Sequence, residues 1–446
     1  MKRVAPRTRV ISLTVSTCIA LMLAACGSSS TNSSSAGAVA TSSASSAPAN
    51  SSTSGPTAKC GAGTGKPATG TPITISGLVT SQPGLEGFTD STDMISDYFK
   101  CLNADGGIHG HPVKYTVYQD QVNPQLAKQL GSRLLAGHPD AIIDGISVLD
   151  CAVNVPTYGK LGYYVIGVGV TNDCFVTPYF APVNVGAGSS NIATAQYLAS
   201  QGVKKIAIYT SNQPGAALIN QGVADFARSK GIQISTNLVN VPISNANALA
   251  LNMVNTAGSG GGVIVSFNPP EAVQVLQAVV QQGLQSRVKW GCPSGCNDAS
   301  VVKSIGSAWN GKIAINAEFK LPEDGGPDGN LLLQIAKQYG APTDAFAEMG
   351  FLAARIATTA MLSLPASKLN QAGINAAFRA IKNFKTDLYC RSWYYGSFPY
   401  HLADNVVSTL TIQDGKLAPA QGCFSLAATP TNHLAQIRAY ERAKGL

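Results

Sequence analysis

NADGGIHGHPV, residues Asn103 to Val113, decides how the rest of the chain is read. A helix runs into it through Tyr98, Phe99 and Leu102. Asn103 and the pair Gly106–Gly107 supply the positive φ that a helix end needs. Val113, Tyr115 and Val117 then alternate with polar residues, the period of a half-buried strand. Upstream, ITISGLV (Ile73–Val79) reads as a buried strand feeding that helix. Strand, helix and strand form one unit, and such units imply a parallel sheet with helices packed on it.

The same run resembles the NA-x-GGI-x-G-x-x-V signature of the type I periplasmic solute-binding proteins. These include the leucine/isoleucine/valine-binding proteins of ABC importers. The resemblance extends roughly from Thr71 to the C-terminus. It implies an α/β fold of two doubly wound, Rossmann-like lobes joined by three hinge crossings near 184–188, 314–320 and 394–399. Lobe 1 is then expected over 71–186 plus 318–395, and lobe 2 over 187–317 plus 396–446.

The pattern along the chain agrees with that layout. Short β-branched runs at Ala141–Gly145 and Tyr163–Val170 alternate with helices at Asp93–Leu102 and Leu126–Leu135. The alternation starts afresh with a helix at Ile192–Gln201, strands at Lys204–Thr210, Ile234–Val241 and Gly261–Phe267, and helices at Ala216–Lys230 and Pro270–Gln281. Such alternation is the mark of a doubly wound sheet. Mainly helical sequence follows at Gly329–Tyr339, Thr343–Leu364 and Asn370–Asn383. Asp414–Gly415 within Val406–Leu417 then signals a hairpin turn.

Residues 1–25 read as an export signal: a basic start, then an apolar run from Val10 to Leu23 too short to span a bilayer comfortably. Leu23-Ala24-Ala25-Cys26-Gly27 resembles a bacterial lipobox, which implies diacylglycerol on Cys26 and cleavage before it. An ordinary secretory peptide is the plainer alternative. Residues 26–70 are dominated by Ser, Ala, Thr and Gly and read as a flexible tether. The expected product is an extracytoplasmic protein held to the membrane by its N-terminal lipid.

The formal charge is +8, but four of the basic residues lie in the leader, leaving 27 basic against 23 acidic side chains. That balance lacks the dense basic face of a nucleic-acid partner. Excluding Cys18 and Cys26, eight cysteines remain, an even number in an exported chain, which reads as disulfides. Roughly a hundred connectivities are open; pairing by proximity gives Cys60–Cys101, Cys151–Cys174, Cys292–Cys296 and Cys390–Cys423. Zinc at Cys292 and Cys296 is the alternative there, weakened by the lack of a second pair at the usual spacing.

Ligands of open α/β sheets sit outside the carboxyl ends of the strands, and in the resembled family they lie between the lobes. By that resemblance the loop after the first strand presents Phe88. The loop Gly145–Cys151 keeps Ser147 but has Asp150 where the family has a ligand-contacting Ser; a helix N-cap is the structural alternative for Asp150. Gly169 and Thr171 match a third contact loop, and Gln213 and Asn268 come from the second lobe. Two departures argue against an α-amino acid: Pro293 occupies the position of the carboxylate that holds an ammonium group, and Asn268 stands where an aromatic is common. The five histidines form no metal-spaced pair, and Gly258–Gly262 lacks the Lys and Ser/Thr of a phosphate loop. Neither a metal nor a cofactor is expected, and no catalytic residues are assigned.

The reading is a monomeric receptor that hands a small polar solute (a branched-chain amino acid, an amide or a related metabolite) to ABC permease subunits. A sensor that reports its ligand to a membrane partner is the alternative. An enzyme on the same fold would need an acid–base pair in the cleft, for which Asp150 is the visible candidate.

Overall fold

The computed structural model describes residues 56–446 apart from Gly84; the leader, Cys26 and the tether before Pro56 lie outside the described residues. The first sheet has strands β1 (Ile73–Val79), β2 (Val113–Gln119), β3 (Ala141–Ile146), β4 (Val165–Val168) and β5 (Phe180–Pro182). Their order is β2-β1-β3-β4-β5 and every pair is parallel. Against it pack α1 (Thr89–Ala104), α2 (Pro124–Ala136) and the short α3 (Asp150–Val153) and α4 (Val155–Lys160).

The second sheet is built from β6 (Lys205–Ser211), β7 (Gln233–Val239), β8 (Gly262–Ser266), β9 (Lys289–Cys292), β10 (Ile313–Ala317), β11 (Val406–Gln413) and β12 (Lys416–Ser425). The order is β12-β11-β10-β9-β8-β6-β7, parallel until the antiparallel edge formed by β11 and β12. Its helices are α5 (Gly186–Ser200), α6 (Ala216–Ser229), α7 (Ala246–Ala257), α8 (Pro269–Gln281) and α9 (Ala299–Ile305). The chain then returns to the first sheet with α10 (Pro327–Tyr339), α11 (Ala345–Leu362) and α12 (Gln371–Arg379), and ends in α13 (Leu434–Lys444). The expectation of two doubly wound lobes joined by three crossings holds. The crossings follow β5, follow β10 and precede β11.

The opening stretch folds with one change from the sequence reading. Met94, Ile95, Tyr98, Phe99 and Leu102 bury one face of α1 at helical spacing. The Gly107 N–H reaches back to Leu102 O at 2.8 Å, and Gly106 and Gly107 take φ of 95° and 59°, a helix end that side chains would strain. Asn103, however, stays helical. Its side-chain amide accepts from Val113 N at 2.7 Å and donates to Val113 O at 2.8 Å, clamping the start of β2 to the helix end.

Two glycines set the closest approaches in this lobe. A Cβ on Gly77 would lie 2.0 Å from Ile143 O, so β1 and β3 close up under the Tyr115 hydroxyl, which donates to that carbonyl. On Gly350 a Cβ would lie 2.0 Å from Ser91 O, so α11 and α1 meet backbone to backbone. Helix α11 is apolar and long enough to cross a bilayer, yet 78% of that stretch is buried inside the protein. Its faces fill the core of the first lobe.

The stretch Ala58–Gly70, read from sequence as the end of the tether with Cys60 paired to Cys101, is fastened down by more than that bridge. Ala58 N–H donates to Pro327 O, Arg355 donates to Lys59 O, and Gly70 N–H donates to Gly110 O. Disulfides join Cys60 to Cys101, Cys151 to Cys174, Cys292 to Cys296 and Cys390 to Cys423. The Asp414–Gly415 turn, with φ of 51° and 70°, joins β11 to β12, the backbone a tight hairpin demands.

Candidate functional site

The carboxyl ends of both sheets open on one cavity of about 110 Å3. The first lobe contributes Phe88, Ile146, Gly169 and Met349, and the second contributes Thr210, Gln213, Phe267 and Asn268. A direct contact joins the lobes beside it: Ala345 N–H, at the start of α11, donates to Asn297 O at 3.1 Å.

Of the residues singled out from sequence, Phe88, Gly169, Gln213 and Asn268 line this cavity. Phe88 stands edge-on to Phe346, ring centroids 5.5 Å apart. Gly169 N–H donates to Asn184 Oδ1 at 2.8 Å, which fixes the loop after β4. Asn268 precedes α8 without using its side chain as a cap. Thr171 lines an adjoining chamber of about 90 Å3 instead, where its hydroxyl leans on Asp173.

Ser147 and Asp150 are not on the cavity wall. The Ser147 hydroxyl donates to Asp120 Oδ2 at 2.6 Å and accepts from Asp150 N at 3.0 Å, so it is Ser147, not the Asp150 carboxylate, that takes up the first amide of α3. Asp150 is 1% exposed, and its Oδ1 accepts from Asn154 Nδ2 at 2.7 Å and Tyr158 Oη at 3.2 Å. Behind it lies Asp144 of β3, whose Oδ1 accepts from Leu78 N. Burial raises both carboxyls, Asp144 well above the ordinary range, with the Asp150 charge adding to its shift. Two carboxyls so placed share a proton. The chemistry of Asp150 is therefore internal to the first lobe.

Glu318 is the feature that sequence reading missed. It follows β10 in the second crossing and is 1% exposed on the cavity wall. Its Oε1 accepts from Ser294 Oγ at 2.5 Å and its Oε2 from Val185 N at 2.7 Å. Burial raises its carboxyl, opposed by those hydrogen bonds. A lone acid in the apolar run Ile313–Phe319 was the available signal. Its position also explains why α5 starts at Gly186, six residues before the apolar periodicity does: the carboxylate satisfies the first amides of a Gly- and Ser-rich turn.

A second cavity, about 300 Å3, shares Phe88, Asn268 and Phe346 with the first and carries Asp90 and Asp298. Asp344 caps α11 through Phe346 N and Ala347 N. Burial, then the neighbouring Asp344, pushes the Asp90 carboxyl up to about 8. Asp298 caps α9 through Ser300 N and lies off the inner cavity. Among the described residues no group of three or more His, Cys, Asp or Glu is placed to hold a metal ion.

The sequence profile described as "Periplasmic binding protein" matches residues 73–400. No curated protein matches the chain by sequence. Among solved structures, a branched-chain amino acid ABC transporter protein from Thermus thermophilus with bound valine superposes with a TM-score of 0.70 at 16% identity, over 83% of this chain and 100% of its own. A fatty acid ABC transporter substrate-binding protein from Thermomonospora curvata gives 0.67 at 15% identity, over 81% and 94%. The substrate-binding protein LivJ from Streptococcus pneumoniae, in complex with isoleucine, gives 0.63 at 16%, over 80% and 99%. At these identities the likeness to the solved structures is one of fold. The profile match, together with two doubly wound sheets facing one cavity, establishes that the chain belongs to the periplasmic binding protein family.

Proposed function

We propose that this protein is the substrate-binding lipoprotein of an ABC-type importer, anchored outside the cytoplasm through lipid on Cys26 and acting as a monomer. A small solute enters between lobe 1 (71–186 plus 318–395) and lobe 2 (187–317 plus 396–446). The lobes close on it, and the closed form is presented to the permease subunits. One observation carries the reading: the inner cavity takes its walls from the strand ends of both sheets. A ligand there touches both lobes, so its binding free energy biases the open–closed equilibrium, which a ligand touching one lobe would not do. Phe88, Gly169, Gln213 and Asn268 are the contacts assigned to it. No bond is made or broken in this cycle.

A thermal-shift screen of the full chain against a metabolite panel tests the reading. A true ligand at a hundred times its Kd adds about 2.7 kcal/mol of stability. Metabolic labelling with a fatty acid, lost in Cys26→Ser, tests the anchor. If no solute raises the melting temperature, the receptor reading is overturned.

A further inference from the structure

The inner cavity does not stand alone. The adjoining chamber of about 90 Å3 is walled by Phe175, Val185, Ile192, Leu218 and Leu402. The two spaces share Val170, Ala187, Gln213 and Ile219. The site is therefore two-part: an inner space with Asn191, Thr210, Ser266 and Asn268 on its wall, and an outer one where those five apolar side chains stand beside polar ones such as Thr171, Ser189 and Asn432.

Its charge inventory is short. Neither wall carries Lys, Arg or His, and the single acid among the lining residues is Glu318. Both Glu318 oxygens are already engaged, by Ser294 and Val185. Of the helix N-termini at the site, the usual substitute for a cation, three are taken; that of α6, at Gly215 on the outer chamber, has no side-chain cap. Glu318 occupies that of α5, Asp344 that of α11, and Pro269 and Pro270 remove the first two donors of α8. A net charge placed in the inner space would lose its hydration with no charged side chain left free to pair it.

One polar group points to what is missing. Asn191 on α5 is 1% exposed; its Nδ2 donates to Ala187 O at 2.9 Å, while its Oδ1 has no partner. Buried acceptors are seldom left so, and this one sits on the cavity wall. It calls for an N–H or O–H from the ligand.

We propose that the site takes an uncharged amphiphile, a hydrogen-bond-donating head such as a primary amide against Asn191 with a hydrocarbon tail in the outer chamber. The inference rests on the solute-receptor reading and narrows its ligand class. The same polarity argument sets zwitterionic amino acids and ionised carboxylates against it.

The experiment is isothermal titration of the full chain carrying Cys26→Ser, so that no acyl chain competes for the outer chamber. The probes are linear primary amides from butanamide to octanamide, the matching alkanoates, and L-leucine. Amides are expected to gain about fourfold in affinity per methylene until the chamber fills, with alkanoates at least about tenfold weaker at neutral pH. Asn191→Leu is expected to lower amide affinity about tenfold. Leu218→Asn, at a side chain 40% exposed and so tolerant of change, is expected to flatten the chain-length dependence while sparing the shortest amide. Tighter binding of leucine or of the alkanoates, a flat chain-length series, or an indifferent Asn191→Leu overturns the proposal and leaves the receptor standing. Silence from every probe overturns it too; if the metabolite screen is also silent, the receptor reading falls with it.

Discussion

Ser294 donates its hydroxyl to Glu318 at 2.5 Å, and the other oxygen of the same carboxylate accepts from Val185 N at 2.7 Å. Three parts of the chain meet there: the loop after β9, the crossing after β10, and the crossing that enters α5. The group is buried, so nothing from solvent replaces a partner that is removed. Ser294→Ala should therefore cost about 1.5–3 kcal/mol, the range for a hydrogen bond to a charged group. Denaturant unfolding at neutral pH measures it. A loss within a few tenths of zero would show that the carboxylate relaxes and that the crossings are not braced through it.

The pair Asp90–Asp344 should give the protein an acid-favouring slope. Asp90 titrates near 8 in the fold against a usual 3.8, raised by burial first and then by Asp344, Asp93 and Asp298. A raised carboxyl means that the folded state binds the extra proton. The stabilisation is complete below the ordinary value and is lost as pH rises through the folded one. Melting temperature should thus fall as pH rises from about 4 to about 8, and Asp90→Asn should flatten part of that fall. Differential scanning calorimetry across the range decides it, and an unchanged slope in the variant removes Asp90 as a cause. Asp298 reaches this pair from the other lobe, so ligand affinity should weaken along the same pH axis.

How much of this was legible beforehand depended on whether the signal was local. The βαβ unit around Asn103 was readable because apolar period, helix end and strand lie within one short stretch. Phe88, Gly169, Gln213 and Asn268 could be placed on the cavity because strand ends define it. The hairpin at Asp414–Gly415 was legible for the same reason, since the turn residues carry their own backbone requirement.

What failed was set by tertiary contacts. The helices α7 and α13 were not singled out from sequence. In α13 the buried positions are few, Leu434, Ile437 and Glu441, so the helix is held by its seat against Val185, Ala193 and Leu402 more than by its own pattern. Asn103 looked like a positive-φ residue because Asn often is one; its bonds to Val113 N and O kept it helical. Asp150 read as a ligand contact or a helix cap because it sits in a loop between strand and helix. Its carboxyl turns inward to Asn154 and Tyr158, partners that only the folded lobe supplies.

Asp150→Asn separates that structural role from a binding role. Asp144 and Asp150 share a buried site, and each has one oxygen without any donor. Both carboxyls are raised by burial, so their stabilising contribution is present at low pH and lost as pH rises through the folded values. The amide carries its own N–H to offer to Asp144 and needs no shared proton. Asp150→Asn should therefore reduce the pH dependence of unfolding while leaving solute affinity within about twofold, since a buried group off the wall contributes little differential binding. A tenfold loss of affinity with unchanged melting would return Asp150 to the list of contacts.

The Cys151–Cys174 bridge should couple stability to the shape of the outer chamber. It ties the start of α3 to the turn after β4, and it closes a stretch of 23 residues. Chain-entropy arguments give about 3 kcal/mol for a loop of this size. The residue after Cys174 is Phe175, whose ring meets both Gly169 and Gly186: a Cβ on either would lie within 2.6 Å of its Cζ. That crowding holds the ring between the loop after β4 and the first turn of α5, where it also walls the chamber. Replacing both cysteines by serine should lower stability by about that amount. It should also weaken long-tailed ligands more than short ones, because the freed turn lets the ring swing away from the tail. The comparison to make is the ratio of affinities for long and short amides in the two proteins, each measured well below its melting temperature. Equal ratios would show that Phe175 is held by its glycine neighbours alone and that the disulfide serves stability without shaping the chamber.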